Sequence, residues 1–252
     1  MQPTLTIAMR AARAAADKLK YTYQQTPALL ADGFSLEKIF TEALEGAAAR
    51  VVKAIRAAHP SHNITFKQLG ENPAKNPEHS HSWYVNLLDG EMNFQTGFPA
   101  VAVCVAHAFK GKFEQVAIIN IFTDEEYGCV RGRGMTRNEQ RVRVTMNRRL
   151  ENSSCSVHGF DTDVKWIGCC SSNHISQRII GSGLMTLAHF CSGFTDTCLV
   201  SGLSADDTAV AALMLQESGA LSGDRQGKPL FANSAEIVAA NPKLFKVLLQ
   251  AI

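Results

Sequence analysis

The chain has 252 residues, of which 46% are hydrophobic and 19% are charged, and its formal net charge is +2. This composition is typical of an ordinary globular protein with a sizeable core, and the small net charge does not by itself require a polyanionic partner. No run approaches 18 uninterrupted apolar residues, which excludes a membrane-spanning helix, and the N-terminus lacks the pattern of a secretory signal. We therefore expect a cytoplasmic protein without a membrane partner.

The cysteines favour a reducing compartment. They are odd in number and lie mostly in apolar settings, which is typical of buried thiols rather than of a disulfide framework. A metal role for the adjacent pair at 169–170 is not favoured, because the pair has no C-x-x-C partner. The seven cysteines are Cys104, Cys129, Cys155, Cys169, Cys170, Cys191 and Cys198.

Two helices are predicted at the start of the chain. Thr4 can cap a helix that runs to about Tyr23, because alanines and leucines recur there at helical spacing. Ser35 begins a second helix, which should end before Pro60 because proline disfavours helix in the preceding residue.

The stretch from Asn72 to Ser82 is rich in Pro, Asn and His and predicts a mobile loop. His79 and His81 have a spacing that suggests two metal ligands. A solvated loop is the favoured interpretation, because no other ligand is placed near this pair in the sequence.

A buried strand is predicted from Trp83 to Leu88, and it ends at Asp89-Gly90. A carboxylate at a strand end suits a hard cation such as Mg²⁺, and a glycine lets the backbone approach a ligand closely. A plain strand followed by an Asp-Gly turn explains these residues equally well. The motif alone therefore leaves both interpretations open.

This segment resembles the metal-binding signature of the inositol monophosphatase family, which reads W-[hydrophobic]-[hydrophobic]-D-P-[LI]-D-G-T-[TS]-N-F. Asn86 stands where the family has its first metal-binding aspartate, and Glu91 replaces the threonine after the glycine. The frame is kept and its chemistry is altered. The residues that fit the signature are Trp83, Leu88, Asp89, Gly90, Asn93 and Phe94.

The next part of the chain predicts antiparallel sheet and a basic surface. Residues 100–109 and 113–122 are two β-type runs, and residues 132–138 are similar to a family hairpin. Between 131 and 149 there is one acid, Glu139, so this cluster suits RNA, another polyanion or an acidic partner. An ordinary solvated hairpin face is the favoured interpretation. The arginines are Arg131, Arg133, Arg137, Arg141, Arg143, Arg148 and Arg149.

The second half contains further family motifs. Short strands are predicted at 154–158 and 164–169, and the resemblance implies that Gly181 and Ser182 contact substrate together with Gly90 and Glu91. Asp207 matches a metal-ligand aspartate of the family. Because the resemblance covers nearly the whole chain in order, it implies the layered αβαβα sugar-phosphatase fold of an α/β protein. We expect an N-terminal half at 1–150 and a C-terminal half at 151–252 in one compact unit, and a homodimer as in relatives.

The resemblance also implies an altered catalytic site. The family reaction is the Mg²⁺-assisted attack of water on a phosphate monoester. Asp89 and Asp207 are kept as metal ligands, whereas Lys67 replaces a ligand glutamate and Leu44 falls on the aspartate that helps to position the water. The expected altered partners of the metal site are Lys67, Asn86 and Leu88, and Lys67 is expected to pair with Asp89, Asp207 or Glu91 in place of a metal.

Two hypotheses follow. The first is a pseudo-enzyme that works as a binding or regulatory scaffold, like the bacterial extragenic-suppressor branch of the family, which acts with transcription antitermination factors. The alternative is a Mg²⁺-dependent phosphatase of inositol monophosphate, or of a related small phosphate monoester, that uses Asp89 and Asp207. Mg²⁺ is therefore a doubtful cofactor in this chain.

Overall fold

The computed structural model describes residues 3–76, 80–159 and 163–252. It divides the chain into two compact units, Met1–Gly128 and Cys129–Ile252, whereas the halves expected from the sequence meet at residue 150. Contacts of the arginine-rich segment explain the difference. The backbone N–H groups of Gly132 and Gly134 each donate to the carboxylate of Glu217 at 2.8 Å, so this segment is part of the second unit.

The first unit is built from long helices and a mixed sheet. In this sheet the strands follow the order β2-β1-β3-β4-β5, and β1 and β3 are parallel while the other pairs are antiparallel. A further strand, β6 (Glu126–Val130), crosses the boundary between the units. The elements of the first unit are α1 (Pro3–Ala31), α2 (Leu36–Arg56), β1 (Asn63–Phe66), β2 (Gly70–Asn72), β3 (His81–Asp89), α3 (Glu91–Thr96), β4 (Ala102–Phe109) and β5 (Lys112–Asn120).

The N-terminal helices follow the sequence pattern, with two differences in α1. This helix begins at Pro3, so Thr4 lies inside it and is not its cap. Ser35 caps α2 as predicted, because its hydroxyl accepts the backbone N–H of Lys38 at 3.2 Å, and α2 ends before Pro60. Helix α1 does not end near Tyr23 but continues through Pro27 to Ala31. In the added part, the hydroxyl of Thr26 donates to the carbonyl oxygen of Thr22, one helical turn earlier, at 2.9 Å.

The second unit contains a hairpin and a five-stranded sheet. Strands β7 and β8 pair antiparallel, and the sheet has the strand order β10-β9-β11-β13-β12. The elements are β7 (Gly134–Arg137), β8 (Gln140–Val142), β9 (Ser154–His158), α4 (Val164–Asn173), β10 (Ser176–Ile179), α5 (Gly183–Cys191), β11 (Thr197–Ser201), α6 (Ala205–Ser218), β12 (Leu221–Gly223), β13 (Glu236–Ala240) and α7 (Pro242–Ala251).

One secondary-structure prediction in this unit is wrong. The strand predicted at 154–158 is confirmed as β9, but residues 164–169 lie in helix α4. Asp163 caps this helix by accepting the backbone N–H of Trp166 at 2.7 Å. Trp166, Cys169 and Cys170 then share one face and pack into the core, which is helical rather than strand spacing.

The structure also bears on the cysteines and on membrane insertion. All seven cysteines are buried free thiols, as predicted. Among the described residues, no helix combines the length and apolar character needed to cross a bilayer.

Candidate functional site

The signature strand ends in an irregular, tightly turned segment. The register of β3 against β4 shifts between Asn86 and Asp89, which marks a β-bulge at the end of the strand. Gly90 then adopts φ 93° and ψ 49°, a left-handed conformation that glycine tolerates best. The bulge and the turn leave Asp89 half-buried at the strand end, while Glu91 is exposed at the start of α3.

The side chain of Gln68 binds the oxygen atoms of this segment. Its amide nitrogen Nε2 lies 2.8 Å from Oδ1 of Asn86 and 3.1 Å from the carbonyl oxygen of Leu88, and it donates to both. Its amide oxygen accepts the backbone N–H of Leu87 at 3.0 Å. The fully buried amide of Asn86 also accepts the backbone N–H of Leu88 at 3.3 Å.

These contacts do not fit a divalent cation at Asn86 and Leu88. A carboxamide N–H₂ group is a hydrogen-bond donor and provides no lone pair to a metal, whereas Mg²⁺ requires oxygen ligands. Here the N–H₂ group of Gln68 is the donor that both the Asn86 amide oxygen and the Leu88 carbonyl oxygen accept from. The arrangement therefore satisfies with hydrogen bonds the oxygens that the family resemblance assigns to a metal.

Gln68 is a site residue that the sequence prediction missed, since the role of metal substitute was given to Lys67. Lys67 is exposed in the turn after β1, where its backbone N–H donates to the carbonyl of Val85 at 2.9 Å. The available signal was its position, because residues 62–71 resemble a family strand that ends in E-E-S-G-E, with Lys67 on the first glutamate and Gln68 on the second. The expected pairing of Lys67 with a carboxylate stays a prediction.

Leu44 stands at the position where the family resemblance implies an aspartate that helps to position the attacking water. Leu44 lies half-buried on α2, and its side chain has no atom that can accept a proton. The neighbouring Glu45 is exposed on the same helix. Within the first unit, the structure therefore gathers Gln68, Asn86 and Leu88 by direct contacts.

The remaining predicted site residues belong to the second unit. Asp207 is fully buried in the first turn of α6, and its backbone N–H donates to the capping hydroxyl of Ser204 at 3.1 Å. The pKa of Asp206 is raised, first by burial and then by the negative charge of Asp207. Ser182 is fully buried and its hydroxyl caps α5 by accepting the N–H of Met185 at 3.2 Å, while Gly181 is exposed with φ 72°.

The arginine-rich segment forms a largely exposed basic surface on the second unit. Arg131 and Arg137 are partly buried, and the guanidinium carbon of Arg137 lies 4.6 Å from the centre of the Phe194 ring. Within the described residues, no ion pair neutralises Arg143, Arg148 or Arg149. The exposed members are Arg133, Arg141, Arg143, Arg148 and Arg149.

Comparison with known proteins gives matches along the entire chain. A family model described as "Inositol monophosphatase family" matches residues 1–252. The Nus factor SuhB of Pseudomonas aeruginosa is 30% identical, with 100% of this chain and 96% of that protein covered. The Nus factor SuhB of Escherichia coli strain K12 is 28% identical, with 99% and 95% covered.

Solved structures show the same fold. The extragenic suppressor protein suhB of Bartonella henselae superposes with a TM-score of 0.84 at 23% identity, with 99% of this chain and 98% of that chain covered. Inositol monophosphatase from Anabaena superposes with a TM-score of 0.79 at 25% identity, with 98% and 94% covered. The predicted α/β fold class is therefore confirmed. Since the family model spans every residue, the chain belongs to the inositol monophosphatase family.

Proposed function

We propose that this chain is a catalytically impaired family member that acts as a binding or regulatory scaffold for a transcription-antitermination protein. The observation that carries the proposal is the bond pattern of Gln68, whose amide nitrogen donates to Asn86 and Leu88 at the position implied for a metal. Two relatives that are 30% and 28% identical to this chain bear the name Nus factor, which supports a role beside the transcription machinery.

Charge at the altered segment argues against family chemistry. Among Lys67, Gln68, Asn86 and Asp89, only Asp89 carries a negative charge at neutral pH, and Lys67 carries a positive one. A site with so little net negative charge has weak attraction for Mg²⁺. These four positions therefore offer a single carboxylate, fewer than a two-metal or three-metal hydrolase needs.

The substrate side of the site is also unfavourable. Glu91 begins α3 at the position where the family has a threonine, and its carboxylate is exposed next to Gly90. A carboxylate repels a phosphate dianion, and the aliphatic Leu44 offers no base to a water molecule. Loss of metal attraction, phosphate attraction and the base together supports an impaired enzyme rather than one with a changed substrate.

The basic surface offers a place for an acidic partner. Exposed arginines on one segment create a positive field that speeds the encounter with a negatively charged macromolecule. Beside them a groove is lined by Arg143, Met146 and Lys243, and Met146 is 78% exposed. A long flexible apolar side chain flanked by cations suits a protein partner that presents both acidic and apolar residues.

A charge-reversal experiment tests the scaffold role. We expect the triple variant Arg143→Glu, Arg148→Glu, Arg149→Glu to lose at least tenfold in affinity for a purified antitermination protein, measured by biolayer interferometry at two salt concentrations. The matched control reverses three exposed lysines elsewhere, Lys112→Glu, Lys165→Glu and Lys246→Glu, and so changes the net charge equally.

The outcomes separate the possibilities. Retained affinity in the control and loss in the arginine variant support the proposed surface. Equal loss of affinity in both variants would show an effect of net charge alone. No loss in either variant would show that these arginines do not bind the partner. If labelled RNA binds and the protein does not, the partner is RNA, and the proposal of a protein partner is wrong.

We extend the proposal to a homodimer, as expected from relatives. Light scattering coupled to size exclusion measures its mass directly, and a monomer of 27.4 kDa at micromolar concentration would contradict it.

A second candidate function is a residual phosphatase that uses one Mg²⁺ at Asp89 and Asp207. The observation that favours it is that both carboxylates are kept, Asp89 half-buried at the bulged end of β3 and Asp207 buried at the start of α6. It requires hydrolysis that depends on Mg²⁺ and on Asp89.

A further inference from the structure

Histidine rings gather at the opposite end of the signature strand from Asp89. His81 begins β3 and Asp89 ends it, so at about 3.3 Å per residue the two lie roughly 25 Å apart along the strand. His62 precedes β1 and His107 lies on β4, which the sheet places beside the start of β3. The histidine cluster, which we define as His62, His81 and His107, is therefore separate from the segment that resembles the family's metal signature.

The ring nitrogens of the histidine cluster lie close enough to share one ion. One nitrogen from each residue can be chosen so that all lie within 4.8 Å of one another. Nδ1 of His81 and Nε2 of His107 are 3.0 Å apart. Two nitrogens that bind zinc at about 2.0–2.1 Å in a tetrahedron are roughly 3.3 Å apart, so this pair already has nearly the required separation.

A second residue fixes the protonation of His107. Nδ1 of His107 lies 2.7 Å from the amide oxygen of Gln115, which can only accept, so Nδ1 carries the proton and Nε2 carries the lone pair. A hydrogen bond of this type to the outer nitrogen is the usual support of a metal-binding histidine. Burial, the largest cause, lowers the pKa of His107, which keeps the ring neutral at physiological pH.

His81 provides both a ligand and an entrance. It is half-buried, in contrast to His62 and His107, which are each 5% exposed. Its Nδ1–H donates to the lone pair on Nε2 of His107. To bind a metal through Nδ1, neutral His81 moves this proton to its other ring nitrogen, so the ion replaces a hydrogen bond and no net proton is lost.

His62 is the weakest of the three ligands. The indole N–H of Trp83 donates to Nδ1 of His62 at 3.0 Å, so neutral His62 carries its proton on Nε2. Coordination by His62 therefore costs this hydrogen bond, whichever nitrogen is used. The ring is held in place by its stacking on His59, with centroids 4.3 Å apart.

We propose that His62, His81 and His107 form a binding site for a divalent transition-metal ion of the zinc type. Three imidazoles suit zinc, nickel or copper and not Mg²⁺, which prefers oxygen ligands. The fourth position remains for a water molecule, a small ligand or a group from another molecule. This site depends on none of the residues of the proposed scaffold role.

Tryptophan fluorescence gives a direct readout, because the indole of Trp83 touches the cluster. In a Trp166→Phe background Trp83 is the remaining tryptophan of two, and we expect Cu²⁺ or Ni²⁺ to quench it with saturation. Calorimetry with Zn²⁺ on the metal-free protein should give one ion per chain at micromolar affinity. We expect His107→Gln to lower Zn²⁺ affinity at least 30-fold, His81→Gln about tenfold or more, and His62→Gln least.

Controls make the result decisive. His174→Asn removes an imidazole outside the cluster, at a left-handed position that asparagine tolerates, and should leave Zn²⁺ affinity unchanged. Gln115→Leu keeps all three ligands but removes the support of His107, and we expect roughly a tenfold loss. Because His81 is half-buried, His81→Gln tests the site even if the buried variants unfold. No binding up to about 100 µM Zn²⁺, or binding that is unaffected by His81→Gln, would overturn the proposal.

Discussion

Replacing Gln68 by glutamate tests most directly whether the Gln68 amide stabilises the end of β3 through its hydrogen bonds to Asn86 and Leu88. The substitution keeps the shape of the side chain but exchanges the donor Nε2 for an oxygen. That oxygen would lie 2.8 Å from Oδ1 of Asn86 and 3.1 Å from the carbonyl of Leu88, two groups that only accept at those atoms. Gln68→Glu therefore turns a satisfied network into three oxygens that face one another.

The expected cost can be estimated from these contacts. Each lost hydrogen bond contributes about 0.5–1.5 kcal/mol, and facing a partly buried carboxylate with two acceptors adds desolvation and repulsion. We expect the free energy of unfolding to fall by about 2–3 kcal/mol, which corresponds to roughly 4–12 °C in melting temperature for a chain of this size. Gln68→Met is the matched control, since it loses the same bonds without adding charge.

Metal addition completes this test. A divalent cation would relieve the repulsion among the three oxygens, so Mg²⁺ or Ca²⁺ should raise the melting temperature of Gln68→Glu and leave Gln68→Met unchanged. Differential scanning calorimetry with and without the ion measures both effects. The assigned role of Gln68 would be refuted if Gln68→Glu melted at the same temperature as the wild-type protein. It would also be refuted if Mg²⁺ raised the melting temperature of the wild-type protein by as much as that of Gln68→Glu.

Further predictions concern catalysis, pH and helix capping. If Mg²⁺-dependent hydrolysis of inositol monophosphate is measurable, Asp89→Asn should abolish it, and activity that survives this change comes from a contaminant. Because the pKa of His107 is lowered from 6.5 in the folded state, the unfolded chain binds more protons, so stability should fall as the pH drops through and below about 6.5. His107→Gln should flatten this dependence in urea unfolding, and an unchanged slope would contradict it. Ser35→Ala should cost about 1 kcal/mol in the same assay through loss of the α2 cap, while no change would show that the cap is dispensable.

Local features were predictable from the sequence because their causes are local. Ser35 and Pro60 bracket α2 through capping and backbone sterics, and the apolar run from Trp83 to Leu88 forms a buried strand as expected. A short apolar run is ambiguous between strand and helix, and residues 164–169 form a helix rather than the predicted strand. Asp163 is the local helix signal that this prediction omitted, since its side chain caps α4.

The contacts that shape the two sites were not predictable, because they join distant parts of the chain. Gln68 lies within hydrogen-bond distance of Asn86 because Phe66, at the end of β1, pairs with Val85 on β3. The spacing of His79 and His81 suggested a metal pair, although a solvated loop was the favoured interpretation, and His79 lies outside the described residues. The partners of His81 are instead His107, which lies on the paired strand β4, and His62, which directly precedes the paired strand β1. Their spacing along the chain therefore gave no sign of the cluster.

The proposal that matters most is that this family member binds no Mg²⁺ at the signature strand and does not catalyse ordinary hydrolysis. Calorimetric titration of the purified protein with Mg²⁺, combined with an inositol monophosphate assay on the same sample, measures this directly. We expect no Mg²⁺ binding up to millimolar concentration and no turnover. Saturable binding together with Mg²⁺-dependent turnover would contradict it and would show that the carboxylates of Asp89 and Asp207 suffice.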